Sequence, residues 1–171
     1  LLDFCTAAER KKLLTYVEPT NNSTLFHIAA IFGASSMVKT MLKYADELPK
    51  NFLDLKDTTQ NTAVAIALGK SFNKTALALL DCPNVDPHIK NDQGDSYLHS
   101  ASRCNRNVIR MILMKGINAL DTNVIGSIAH HEMARQGNSG GLEELLTKNP
   151  SVINQRGSKD GYGPLHWAAR E

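Results

Sequence analysis

The stretch TLFHIAAIFG, residues 24–33, sets out a small residue, a spacer, an apolar residue, a histidine, a second apolar residue and two alanines. GPLHWAA at residues 163–169 repeats that frame. Working outward, SYLHSAS from Ser96 is a third copy, TAVAIALG from Thr62 a weaker one, and IAHHEMARQG from Ile128 the weakest. The starts at 24, 62, 96, 128 and 163 are separated by 38, 34, 32 and 35 residues. A fixed period of this size marks stacked supersecondary units, none of which buries its apolar face alone.

Each part of the frame has a physical reason. Thr24, Thr62 and Ser96 stand where a hydroxyl accepts a bond from the first unpaired amides of a helix, and Pro164 stands one place later, where a missing N–H costs little. The pairs Ala29–Ala30 and Ala168–Ala169 allow helices to approach closely. Gly33 and Gly137 supply a left-handed residue to end the inner helix, and Asn105 is expected to do so in the third copy. Gly94 and Gly161, two residues ahead of a start, mark the tips of turns. About nine residues beyond each motif an apolar cluster follows: Met37, Val38, Met41 and Leu42; Ala76, Leu77, Leu79 and Leu80; Ile109, Ile112 and Leu113; Leu142, Leu145 and Leu146. Spacings of three and four predict one face of an outer helix.

These features resemble the ankyrin repeat, with its period of about 33 residues and its T-P-L-H-x-A signature. The resemblance runs from about residue 20 to the end. It implies an all-α solenoid of stacked helix-turn-helix units with short β-turn or hairpin tips. The tetratricopeptide repeat has a similar period, but its Trp, Leu-Gly, Tyr and Pro positions are missing. The copies depart from the family pattern. Leu25, Ala63, Tyr97 and Ala129 replace the proline, Ala65 replaces the second histidine, and polar His130 takes the leucine position of copy four. Residues 44–57 carry about four extra residues, expected to enlarge a loop or add a helical turn. Residues 1–19 read as one or two capping helices, or the remains of an earlier repeat, ahead of an array over 20–171 whose last copy is incomplete. Trp167 and the paired alanines are unlike a polar cap, so the chain is expected to continue, with residues 163–171 fraying or leaning on another molecule.

Composition narrows the function. A formal charge of +2 makes no case for nucleic acid, and the longest apolar run, Ala63 to Leu68, is far short of the roughly 20 residues of a membrane span. Cys5, Cys82 and Cys104 are odd in number and lack a CxxC pair, which favours a reducing compartment over a disulfide framework or zinc site. Of the six histidines, His27, His99, His131 and His166 share one frame position. The resemblance implies that they bond backbone near the turns rather than hold a metal. His88 and His130 read as exposed. HHEMAR, residues 130–135, begins an H-E-x-x-H zinc helix, but Arg135 occupies the second histidine's place. No phosphate-binding glycine loop occurs, and no cofactor or enzymatic activity is expected.

The resemblance implies a protein partner bound along inner-helix ends and turn tips by an array monomeric in itself. The two residues after each alanine pair line that surface: Ile31 and Phe32; Gly69 and Lys70; Arg103 and Cys104; Arg135 and Gln136; Arg170 and Glu171. Arg106, Arg110 and Lys115 add positive charge between Ser96 and Gly116, where no acidic residue stands. One reading has Lys70, Arg103, Arg106, Arg135 and Arg170 holding an acidic or phosphorylated segment while Ile31 and Phe32 anchor an apolar side chain. The other has them as solvated surface charges, with Phe32 packed on the capping helix. A second functional class also stands: a regulatory or targeting segment of a larger enzyme, or of a bacterial effector delivered into host cells. The family's usual home is the cytoplasm or nucleus, or the host cytoplasm for such an effector.

Overall fold

A computed structural model of the chain describes residues 2–157 and 161–170, and among these every regular element is helical. The chain divides into two compact units, Leu1–Asp86 and Pro87–Glu171. None of the described helices is long and apolar enough to cross a membrane.

In the first unit a short 3-10 turn leads into α1 (Ala7–Leu14), followed by α2 (Leu25–Ile31), α3 (Ser35–Leu42), α4 (Ala63–Gly69) and α5 (Asn73–Asp81). Inner helix packs on inner helix, α2 against α4, and outer on outer, α3 against α5. Small residues make the inner contact: Ala29, Ala30, Ala63 and Ala67 are all buried. The outer contact buries Val38, Met41, Ala76, Leu79 and Leu80. Met37, expected in that cluster, is instead 43% exposed and lines an apolar groove of about 350 Å³ with Leu2, Leu13 and Leu25.

Residues 44–57 add short helical turns after α3, one of the two outcomes expected. Two 3-10 turns, Ala45–Glu47 and Phe52–Asp54, bury Phe52 and Leu53 and hold the first helix in place. The Arg10 guanidinium of α1 lies 4.1 Å over the Tyr44 ring. It donates to both Glu47 carboxylate oxygens at 2.7–3.2 Å. That pairing holds Glu47 below the usual carboxylate range. At its other end α1 is closed by a reciprocal cap: the Thr6 amide donates to Glu9, and the Glu9 amide donates to the Thr6 hydroxyl.

The second unit holds α6 (Tyr97–Ser100), α7 (Arg106–Met114), α8 (Ala129–Arg135), α9 (Ser139–Lys148) and α10 (Pro164–Arg170). α8 packs against both α6 and α10, and α7 packs against α9. Helix α10 is formed from Pro164 through Arg170, and Glu171 lies outside the described residues. Its apolar residues nevertheless face solvent: Leu165 is 79% exposed, and Ala168 and Ala169 are exposed too.

The period is written more fully in the backbone than in the side chains. Two residues ahead of every motif start, Asn22, Gln60, Gly94, Gly126 and Gly161 all have φ between +56° and +75°. Five ahead, the side chains of Asp57, Asn91 and Asn123 each accept two backbone amides of their own turn at 2.9–3.2 Å, folding the tip. The inner helix ends on a left-handed residue at Gly33, Ser71 and Gly137. Gly33 has a second reason to lack a side chain, because a Cβ there meets the Phe72 ring at 2.9 Å. Asn105 does not end the third inner helix. It is extended, with φ −72° and ψ 165°, and its side chain accepts the Val108 amide at 3.2 Å, starting α7 instead.

Among the described residues of the first unit, the buried Thr75 hydroxyl has no hydrogen-bond partner. Replacing it with a methyl of the same shape removes a desolvation cost without opening a cavity. Thr75→Val is expected to raise unfolding stability by about 1 kcal/mol. Urea denaturation midpoints of the two proteins, with unchanged slope, check this.

Candidate functional site

The frame histidines sit at the third position of their helices and bond both ways. Backbone N–H groups of Thr24, Ser96, Ile128 and Gly163 donate to Nδ1 of His27, His99, His131 and His166 at 3.1–3.4 Å. Nδ1 is therefore the acceptor, and the ring proton resides on Nε2. From Nε2, His27 donates to the Asn61 carbonyl at 3.2 Å, His99 to that of Ser127 at 3.0 Å and His131 to that of Gln155 at 3.1 Å. The carbonyls of Asn61 and Ser127 belong to the turn of the following copy, and that of Gln155 closes the 3-10 turn Pro150–Asn154 ahead of it. Burial, only partly offset by these bonds, pushes the His27 and His99 imidazoles below their ordinary value, which keeps them neutral as the tautomer requires. Around them Thr24 and Thr62 cap α2 and α4, Ser96 bonds His99 Nδ1 through its hydroxyl at 2.9 Å, and Pro164 opens α10. In copy two Ala65 has no ring, and Thr62 caps α4 alone.

His88 is exposed, as expected, but His130 is not. It is 1% exposed, and neither of its ring nitrogens has a hydrogen-bond partner. His130 is polar, yet its frame position, shared with Phe26, Val64 and Leu98, is a core position. No cluster of three or more metal-binding side chains occurs among the described residues.

In the first unit, the inner-face residues foreseen for partner contact stand open to solvent. Phe32 is 77% exposed and Ile31 37%, and Phe32 therefore does not pack on the capping helix. Ile28, one turn earlier on α2, adds 41% exposure and widens the apolar patch. Its spacing of three from Ile31 was a usable sign. Lys70, the position equivalent to Phe32 in the next copy, is exposed at the end of α4.

In the second unit the charges are partly spent on one another. Arg103 donates through Nε to the Gln136 side chain at 2.6 Å, and Gln136 donates to Glu132 at 2.9 Å. Glu132 also accepts from Arg135 at 3.0 Å, with a second, shorter bond between the same groups. The Arg135 hydrogen bonds, then those of Gln136 and the fields of Arg135 and Arg103, hold the Glu132 carboxyl low and ionised despite its burial. This face is thus a network of two cations around one anion, not an uninterrupted basic row. Arg106 lies elsewhere: it opens outer helix α7 and pairs with Glu143, 3.9 Å from Glu144. Arg110 grips Glu144 with two parallel bonds at 2.9 and 3.0 Å. In the positive cluster between Ser96 and Gly116, Arg106 and Arg110 are thus paired with acids supplied from α9. The Arg170 side chain and Glu171 lie outside the described residues.

The cavities offer little enclosed chemistry. A cleft of about 450 Å³ in the first unit is lined by Lys50, Asn51, Asp54 and Asp86, with Asp54 raised by burial while its carboxylate accepts the Asp86 amide at 3.0 Å. Nothing nucleophilic faces it.

Residues 26–123 match the family model described as ankyrin repeats, in three copies. The match covers more than half of the chain and ends before the fourth motif at Ile128, where the side chains depart furthest from the frame.

The bonds described here have unequal weight. Removing the His27 ring strands a buried amide and a carbonyl of the next turn, so His27→Ala is expected to cost about 2–3 kcal/mol. His166→Ala, at an exposed ring, is expected to change stability far less. Chemical denaturation of each variant decides. Likewise Glu144→Ala should lower the thermal midpoint more than Glu143→Ala, because Glu144 is 7% exposed and doubly gripped whereas Glu143 is 68% exposed.

Proposed function

The chain belongs to the ankyrin-repeat family, whose members act generally as protein–protein interaction modules, and from that premise we propose that it captures a partner protein through the inner faces of its two units. The observation that carries the reading is the exposed apolar patch of Ile28, Ile31 and Phe32 at the end of α2. Such side chains on an inner face are hot-spot material: an aromatic anchor with aliphatic neighbours gains from being covered, by about 25 cal/mol for each Å² of apolar area removed from water. The second unit offers a different chemistry. Arg103 uses Nε for Gln136, and its remaining N–H groups point to a carboxylate or phosphate ligand, with Arg135 and Lys70 as further cations on their own inner helices. The partner is an acidic or phosphorylated protein segment that brings at least one apolar anchor. The natural setting is a reducing, intracellular compartment, consistent with buried Cys82 and Cys104 standing in no disulfide.

Capture from cell lysate by the full chain tests the proposal. Phe32→Ser and the double variant Arg103→Glu, Arg135→Glu are each expected to lose at least tenfold in captured partner, with circular dichroism showing that helicity persists. Equal capture by the parent and both variants would move the contact to the turn tips or outer helices. Arg135→Gln serves as a control, since it removes charge without setting two acids beside each other at Glu132.

A further inference from the structure

His130 occupies the frame position that Phe26, Val64 and Leu98 fill in other copies, all of them core residues at 1% exposure or less. An imidazole in that apolar slot has its two nitrogens unpartnered and the His131 ring 4.4 Å away, centroid to centroid. We propose that His130 is an acid switch built into the second unit: neutral, it packs as a core residue, and protonated it drives α8 out of its place between α6 and α10.

Among the described residues the surroundings provide no counter-ion. α6 brings Tyr97 and His99 to the packing around α8, α9 brings Glu143, Glu144 and Lys148, and α10 brings His166. On α8 itself stand His131, Glu132 and Arg135. Each carboxylate is already engaged, Glu132 by Arg135, Glu143 by Arg106 and Glu144 by Arg110. The His131 and His99 rings offer no negative charge, and the Gln155 carbonyl, which favours the protonated ring, does not offset the cost of burial. A protonated ring here is a buried, unpaired cation, which folded proteins do not tolerate. The neighbouring His131 and His99 cannot relieve it, because their Nδ1 atoms accept backbone amides.

Burial, then the His131 field, push His130 down to about 4 from 6.5. The folded unit therefore refuses a proton that the unfolded chain accepts near 6.5. Its contribution to stability is complete above that pH and is lost as pH falls from 6.5 towards 4. Between pH 7.5 and pH 5 this residue alone lowers the folded-to-unfolded ratio of the unit about 30-fold. The Arg103–Gln136–Glu132–Arg135 face is built on α8 and goes with it; that consequence for capture rests on the reading above, whereas the switch itself is a property of folding.

The test uses the full chain and no partner, so its failure is separate from a failure of the capture proposal. Amide hydrogen exchange of α8 and α9, corrected for the intrinsic effect of pH, is measured at pH 7.5 and pH 5 for the parent and for His130→Leu. The parent should lose about 30-fold more protection in these helices than the variant. Equal losses would overturn the proposal. Should His130→Leu fail to fold, the His130 ring proton is followed by NMR in the parent. A resonance unmoved down to pH 5 supports the switch, and a midpoint near 6.5 refutes it.

Discussion

The bond from a helix-start imidazole to the next turn is the constraint on which the stack depends. A helix pair of this size cannot bury its apolar face alone, so its fold depends on the next pair arriving at the right height and angle. His27, His99 and His131 set that height with one side chain each, because Nδ1 is occupied by their own helix start and Nε2 by the following turn. A longer, freer donor makes the same bond at a greater entropic cost, whereas the ring has two rotatable bonds and presents its nitrogens in one plane. The left-handed residues at the tips matter for the same reason. Gln60 and Gly126 turn the carbonyls of Asn61 and Ser127, the residues that follow them, toward the preceding copy.

Charge follows the same logic of neighbours one period apart. Arg106 and Arg110 have no acid beside them between Ser96 and Gly116, yet Glu143 and Glu144, on α9, hold them. Arg103 reaches Gln136 across the same interval of one copy. A repeat array brings together residues about a period apart, so a local tally of charge misstates the field of the folded face. What remains after pairing is modest: an apolar patch in the first unit, a two-cation, one-anion network in the second.

Much of the fold was legible before any coordinates. The period, the inner and outer helices, the capping hydroxyls and the frame histidines follow from spacing and from the family pattern, because stacking demands the same residue types at the same place in each copy. Legibility failed where a single copy departs. Asn105 looked like a helix stop and is a helix start, since Asn serves both ends of a helix. His130 looked exposed because it is polar, while its frame position marks it as core. Asn22 and Gln60 adopt the left-handed turn without the glycine that flags it.

By itself, the sequence determined an all-α ankyrin array, its copy boundaries, and the candidates Ile31, Phe32, Lys70, Arg103 and Arg135 for the inner face. These are local matters of period, capping and side-chain volume, readable one copy at a time. Only the tertiary structure decided that Arg106 belongs to an outer-helix ion pair, that Glu132 tempers the basic face, and that His130 is sealed without a partner. The Arg106 pair and the sealing of His130 depend on which atoms from another copy lie within about 3–4 Å, and Glu132, bonded one turn along its own helix, joins the cations of the face only because Arg103 of the preceding copy reaches Gln136. Contacts of that range are set by packing rather than by order along the chain.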